Sequence, residues 1–432
     1  MRKVYALAVI VLLLLFSFSE SYGQTIIDAE FRPRSEYRSG FNQPLPDALK
    51  SALVNMQRTR LNFNYKGGVV SARLVLQDSR IFGETDTKQP TTATTGSIGV
   101  YEAWSELLLF SGTSFKIGRQ GLQFEDGRLF SLSPWSNTGN SHDLAQIRYF
   151  APGLDVQLGY ANNNQKAYNA DTSFYNVSKM YKELAFLHLT KAIVKGLDLS
   201  LLAVDEGFMK SKTNLDLYHR YTTGGTLQLK NDKMPLGLLV TGYYQFGKSA
   251  PTVDLDAYLL ALKATYTIND KIAGLIGADY YSGSASTLAV TETNTFNKLP
   301  YSTNHSFNGY MEYWGTLPKG GLINYFGGVN LKFSKKLSSD ITCYAFSLAK
   351  DMKVGTSEVQ KNIGSELDVV LNYKFSAEAA VQFAWCGYLA TDGTKILKYK
   401  SAAIDSKFPQ YAFLMLTIKP QLYKTPVVIE NK

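Results

Sequence analysis

The stretch QRTRLNFNYK, residues 57–66, sets Arg58, Arg60, Asn62, Asn64 and Lys66 at every second position, with Thr59, Leu61, Phe63 and Tyr65 between them. Successive side chains of a β-strand point to opposite faces, so the segment reads as a strand with one basic, polar face and one apolar, aromatic face. The pattern recurs in IGSELDVVLNYKF, residues 363–375, where Leu367, Val369, Leu371, Tyr373 and Phe375 fall on one side. Glu366, Asp368, Asn372 and Lys374 fall mainly on the other.

No Pro-rich or Gly/Ser-rich linker divides the 432 residues, which points to one large domain. The 28 Tyr, 24 Phe and 34 Gly indicate many strands and turns. A helical membrane span needs about 20 predominantly apolar residues, and nothing after the first 18 residues approaches that, so a helical membrane protein is excluded. Those first residues carry Arg2 and Lys3, then an apolar run, then Ser21 and Gly23, the order of a secretory signal peptide cleaved after Gly23. No Cys lies near that point to carry a lipoprotein anchor. Cleavage lowers the net charge of +9 by one. An exported basic chain can meet acidic polysaccharide or anionic headgroups, and nucleic acid is a poor partner in that compartment. Cys343 and Cys386, the two cysteines, are too few for a disulfide-built fold. On strands separated by one other they would stand about 9 to 10 Å apart, beyond the roughly 7 Å reach of a bridge.

Two kinds of connection alternate along residues 24–432. Short ones occur at Gly67 and Gly68, at Ser111, at Ala151, before Gly196, at Asn231, at Asn269 and Asp270, between Lys335 and Ser338, and at Ser376. Long polar ones lie near 38–54, 81–97, 123–142, 162–180, 205–220, 247–255, 283–320, 350–362 and 389–409. Eight hairpins plus an opening and a closing strand make eighteen strands. An even count with short turns at one end and long loops at the other is the layout of an all-β, antiparallel, transmembrane outer-membrane barrel, with short periplasmic turns and long extracellular loops. Gly67 and Lys335 then belong to one end, Thr92 and Gly283 to the other. Tyr65, Phe110, Phe115, Tyr149, Phe150, Tyr266, Phe333 and Tyr373 sit beside short turns, where an interfacial aromatic girdle belongs. The apolar face meets lipid, and the arginine face lines a wet interior.

That register sends Arg58, Arg60, Asn62, Arg73, Gln77, Gln146 and Arg148 inward, together with the acids Glu102, Glu106, Asp155, Glu366 and Asp368. Two readings stand open. Guanidinium groups at a constriction would favour anions, or arginine and carboxylate would simply pair and hold the wall. Catalysis has little support: His305 and Ser306 are adjacent and would point oppositely on a strand, as would His142 and Asp143. The 4 His form no HExxH or metal-ligand spacing, and no phosphate-binding loop opens a helix, so no cofactor is expected.

RTRLNFNYK (from Arg58), VLQDSRIFGE (from Val75), YEAWSELLL (from Tyr101), FKIGRQGLQFEDGRLF (from Phe115), WSNTGNSHDLAQIRY (from Trp135) and TNHSFNGYMEYW (from Thr303), in this order and spacing, resemble the alginate-export family of outer-membrane barrels. The resemblance implies a monomeric barrel, usually of eighteen strands, whose arginine-rich constriction passes an anionic uronate polysaccharide. The matching motif positions are Arg58, Arg60, Asp78, Arg80, Glu102, Glu106, Arg119, Asp126, Arg128, His142 and Asp143, with Arg119 and Arg128 reaching the lumen from a rim or an inward-folded loop. The chain departs from the pattern by running on to PVVIENK beyond its last strand, and its matches thin after residue 150. The expected function is a passive outer-membrane channel for anionic saccharides or related solutes, inserted into outer-membrane lipid by barrel-assembly machinery. The alternatives are a general small-solute porin, or a structural or surface-binding barrel plugged by the 283–320 loop.

Overall fold

The computed structural model describes residues 23–83, 98–164, 167, 174–175, 180–230, 234–287, 289–303 and 305–426. Residues 1–22 of the expected 1–23 leader, and Thr92, therefore lie outside the described residues. The alternating segments form β1 (Gln24–Ser39), β2 (Ala52–Lys66), β3 (Val70–Ile81), β4 (Gly99–Phe110), β5 (Thr113–Gln120), β6 (His142–Ala151), β7 (Leu154–Asn162), β8 (Glu183–Val194) and β9 (Leu197–Met209). They continue as β10 (Leu217–Leu229), β11 (Leu236–Ala250), β12 (Val253–Asn269), β13 (Ile272–Tyr281), β14 (Leu322–Lys332), β15 (Leu337–Ser347), β16 (Asn362–Lys374), β17 (Ala379–Leu389) and β18 (Gln410–Ile418). Each pairs antiparallel with the next, and β18 returns to β1 from Phe31 opposite Ile418 to Ser39 opposite Gln410. The result is a closed antiparallel barrel of eighteen strands.

Gly67 and Lys335 lie in connections at the short-turn end, and Gly283 lies at the long-loop end. The long connection expected near 247–255 is instead a two-residue turn, because β11 and β12 stay paired through Lys248 opposite Asp254 and Ala250 opposite Val253. Lys248 and Asp254 form an ion pair at 2.7 Å, so polar residues that read as loop extend the hairpin. The 390–409 connection holds the only α-helix among the described residues, α1 (Asp392–Tyr399), with Thr391 as its N-cap.

Cross-strand register settles which face is which. Arg58 stands opposite Ser79, Arg60 opposite Gln77 and Asn64 opposite Arg73, all inward; Leu61 opposite Leu76 and Phe63 opposite Leu74 face out. Tyr65, Tyr149, Tyr266, Phe333 and Tyr373 are exposed on the outer surface by the short turns; Phe110 and Phe150 are exposed there too, but Phe150 shares the inward face of Arg148, whose guanidinium lies 5.7 Å from its ring. The register shifts at several points of the barrel; at one of them the β3–β4 pairing slips after Val75, and the neighbours Tyr101 and Glu102 are both buried. Cys343 and Cys386 are free, on strands separated by β16; Cys343 faces Leu367 on the outer surface and Cys386 faces Asp368 on the inner.

With Cys343 and Cys386 replaced by Ser, a cysteine at Asn64 should react with a charged, water-soluble thiol reagent in reconstituted vesicles, and one at Phe63 should not. A one-residue slip would exchange the two faces and reverse the labelling.

Candidate functional site

The barrel interior is occupied by two of its own loops, 121–141 between β5 and β6 and 282–321 between β13 and β14. Inward arginines hold the first through its backbone. Arg32 donates to the carbonyls of Pro134, Trp135 (3.1 Å) and Ser136 (2.8 Å). Arg58 donates to Pro134 (3.2 Å) and Ser136 (2.8 Å), and Arg34 to Trp135 (2.7 Å). A loop inside a barrel has carbonyls that water no longer serves, and a multi-donor guanidinium fork replaces it. On the far wall Glu125 accepts from Tyr243 (3.2 Å) and from Ser200, and lies 2.8 Å from His188. Arg128 pairs with Asp126 at 2.8 Å and with Asp279 of β13 at 2.9 Å.

The second loop is fastened with the roles exchanged, wall carboxylates receiving loop donors. Met311 N–H donates to Glu366 (2.8 Å) and Tyr310 N–H to Asp368 (3.1 Å), both on β16. Gly309, at φ +78°, passes so close to Glu366 that a Cβ there would stand 2.4 Å from its carboxylate, so the approach requires glycine. Tyr301 donates to Glu206 of β9 (2.6 Å) and Trp314 to Tyr388 of β17 (3.2 Å). A stacked column joins the loops in the middle: the Arg34 guanidinium lies 3.9 Å from the Trp135 ring, which stacks on His305 at 3.9 Å, which stacks on Tyr310 at 4.1 Å.

Against this filled interior the arginines separate into different roles. Arg58 is 3 % exposed and ion-paired with Glu30 at 2.5 Å, so its charge is engaged. Arg60 is half-buried; it donates to Gln77 (2.7 Å) and the Thr138 carbonyl (3.3 Å) and lies 3.7 Å over the Tyr101 ring. No carboxylate stands within 4.0 Å of it among the described residues. Asn62 donates to Asp28 at 2.5 Å. Towards the short-turn end Arg73 pairs with Glu102 (2.5 Å), Glu106 accepts from Ser114 (2.5 Å), and Arg148 pairs with Asp155 (2.6 Å). Arg73 and Arg148 remain 32 % and 43 % exposed, so water reaches them despite their partners.

Four of the expected pore-lining residues are not on the inner face. Asp78 and Arg80 pair with each other at 2.7 Å, and stand opposite Thr59 and Gln57 on the outer face of β3. Arg119 and Asp143 pair at 2.8 Å, opposite each other on the outer face of β5 and β6. Their neighbours Gln77, Gln120 and His142 take the inward positions, and period two forbids both. His142 points inward but is 2 % exposed, packed against Tyr181 and Tyr301 under the first loop. Asp126 and Arg128 reach the interior from the inward loop. The sequence reading missed Arg32 and Arg34, although Glu30, Arg32, Arg34 and Glu36 alternate along β1 as plainly as the arginines of β2. It also missed Lys116, whose ammonium lies 3.8 Å over the Trp104 ring. Among the described residues no three His, Cys, Asp or Glu side chains gather as a metal site.

A closed eighteen-strand barrel with inward loops and a charged interior defines the porin-like class of outer-membrane channel barrels. The chain belongs to the alginate export family, whose model matches residues 24–390. Among curated proteins none matches it in sequence. Solved structures share its fold at low identity. OccAB4 of Acinetobacter baumannii has 15 % identity and a TM-score of 0.60 over 93 % of this chain and 99 % of its own. The outer membrane protein OprD of Pseudomonas aeruginosa has 14 % identity and 0.60 over 94 % and 96 %. OpdK of Pseudomonas aeruginosa, solved with vanillate, has 12 % identity and 0.58 over 93 % and 99 %.

Replacing Arg128 by Ala strands the buried Asp279 carboxylate, which should cost roughly 3 to 5 kcal/mol. Urea unfolding of the reconstituted barrel, followed by heat-modifiable gel migration, measures the loss. Burial holds the His305 imidazole below its ordinary pKa, against the opposing pull of its partner Glu312 and of Asp368, with Arg34 adding to the depression. A depressed folded-state value contributes stability above the ordinary pKa of about 6.5, and that stability is lost as pH falls through the folded value. Acidification should therefore loosen the stacked column and raise bilayer conductance, and His305→Gln should flatten that response.

Proposed function

We propose that this outer-membrane barrel is a passive diffusion channel preferring small anionic solutes, carboxylate-bearing saccharides foremost, and that it works as a monomer in outer-membrane lipid after insertion by the barrel-assembly machinery. The observation that carries the preference is Arg60: a half-buried inward guanidinium whose partners are an amide, a backbone carbonyl and an aromatic face, with no carboxylate within 4.0 Å among the described residues. Such a group can offer its planar donor fork to a passing carboxylate at little cost in existing ion pairs. Arg73 and Arg148, partly exposed nearer the short turns, extend the positive potential along the route, while Glu102, Asp155 and Glu106 hold it below that of an unpaired ladder. Arg58 belongs to the wall network.

The filled interior favours a size-limited pathway. Two loops fastened to β1, β2, β9, β11, β13, β16 and β17 leave less room than an open eighteen-strand barrel would, which supports small solutes and short saccharides ahead of a long polymer. A general small-solute porin is the second reading, favoured by the same loops.

Reversal potentials across planar bilayers under a salt gradient decide between these. Wild type should prefer anions, and Arg60→Gln should shift the potential toward cations while gel migration reports a folded barrel. Liposomes should swell faster in glucuronate than in glucose. Equal swelling, with a reversal potential indifferent to Arg60, would leave only the general porin.

A further inference from the structure

The outer wall is not equally tall all round. Measured from the level of the aromatic belt by the short turns up to the first outward-facing charge, β3 runs from Ala72, opposite Tyr65, to Asp78. β5 runs from Thr113, opposite Tyr149, to Arg119, and β6 from Tyr149 to Asp143. Each of these is six positions. On the far side of the barrel β12 runs from Tyr266 through the exposed Leu262, Leu260 and Tyr258 to Asp256, ten positions, and β11 from Leu236, opposite Tyr266, to Lys248, twelve. A strand that rises about 3.4 Å per residue at a tilt of about 40° gains about 2.6 Å of height per position, so the first arc is about 16 Å tall and β12 about 26 Å. An outer-membrane barrel carries an apolar band of about 25 Å, which β12 supplies and the β3–β6 wall does not. Tilting the barrel in the bilayer raises one side and lowers the other without lengthening either.

Two further features mark the short arc. Its charges are open to the outside: the side chains of Arg119 and Asp143 are 39 % and 62 % exposed although they pair with each other. The Arg119 guanidinium also turns toward the long-loop end, donating from Nε to the Val100 carbonyl at 3.1 Å, as a cation does that reaches for the nearest water. Below it, between the belt and the charges, lies an outward groove of about 460 Å³, in which the small side chains of Ala72, Ala103 and Ser105 form a floor between Phe63 on one side and Ile117 on the other.

A bilayer of full thickness would put Arg119 and Asp143 inside hydrocarbon, where neither water nor headgroup serves them. A second barrel packed here would have to dry ion pairs that already satisfy each other, which costs desolvation and returns little. Headgroups drawn down to the charges avoid both, and a short apolar stretch is ordinarily met by thinning of the lipid beside it. We propose that the β3–β6 wall is a lipid-binding surface that holds the bilayer locally thin, with headgroups at the level of Arg119 and Asp143 and a tilted acyl chain in the groove beneath them. Such a surface needs only a barrel seated in the outer membrane, whatever solute the channel prefers.

Spin labels read the depth directly. With Cys343 and Cys386 replaced by Ser, a nitroxide is placed at Ala145 or at Leu262, each outward and four positions above Tyr149 and Tyr266, in the full chain reconstituted in dioleoylphosphatidylcholine vesicles. Relative accessibility to oxygen and to a water-soluble nickel complex gives the distance of each label from the headgroups, and gel migration checks folding. A flat bilayer sets the two labels at equal depth. The thinned one puts Ala145 two positions, about 5 Å, below Asp143 and Leu262 six positions, about 16 Å, below Asp256, so Ala145 should read about 10 Å shallower. Arg119→Leu combined with Asp143→Leu should return it toward the depth of Leu262. Equal depths in the unaltered wall, a difference that ignores the double replacement, or dipolar coupling between the Ala145 labels of two copies overturns the proposal; the last would mean that a second barrel covers the face.

Discussion

The hydrogen-bonded ladder that returns β18 to β1 is the constraint on which the rest depends. In a bilayer no water serves an unpaired strand edge, so a sheet of this size must either close or bury its edges. Here it closes, from Phe31 and Ile418 up to Ser39 and Gln410. Closure converts the two faces of every strand into an inside and an outside. Arg58 and Leu61, three residues apart, then belong to different solvents, and the composition of each face follows from that.

Closing eighteen strands creates an interior too wide for wall side chains alone to fill. The protein fills it with backbone, which brings the polar groups of two loops into a partly dry space. Each loop is satisfied by the charge type its exposed groups require. Guanidinium donors of Arg32, Arg34 and Arg58 meet the carbonyls of 134–136, and carboxylate acceptors of Glu366 and Asp368 meet the N–H groups of Met311 and Tyr310. Much of the interior charge is thus committed to architecture. The proposed solute route rests on the remainder: Arg60, with no carboxylate within 4.0 Å among the described residues, and Arg73 and Arg148, paired but partly exposed. Of the two readings that the sequence left open, pairing that holds the wall is realised in Arg58, and the anion-favouring one is the proposal that rests on Arg60.

The same reasoning explains the outer face. Asp78 with Arg80 and Arg119 with Asp143 are outward charges, and each is paired across two residues or between neighbouring strands. Pairing lowers the cost of carrying a charge on a surface adjoining lipid, and an ion pair at such a position needs no role in transport. The family resemblance implied a lumen position for all four, for Arg119 from a rim or an inward-folded loop, although strand parity points the other way for three: Arg73 and Gln77 inward put Asp78 and Arg80 outward, and Gln146 inward puts Asp143 outward.

Strand number, closure and the orientation of most side chains were therefore written in the sequence, because period two and turn length are local properties carried by contiguous residues. QRTRLNFNYK alone determines its own two faces, and EFRPRSEYR of β1 holds the same message in Glu30, Arg32, Arg34 and Glu36. Three things were decided only by the tertiary structure. The bulge that turns both Tyr101 and Glu102 inward depends on how β4 registers against β3. The extension of β11 and β12 over 247–255 depends on pairing between polar residues that no hydrophobic pattern marks. The stacking of Trp135 on His305, and the capture of residues 134–136 by arginines 76 to 104 positions earlier, depend on loops finding one another inside a closed wall. Contacts of that kind join segments far apart in the chain and leave no periodicity behind, so only the folded barrel brings them into view.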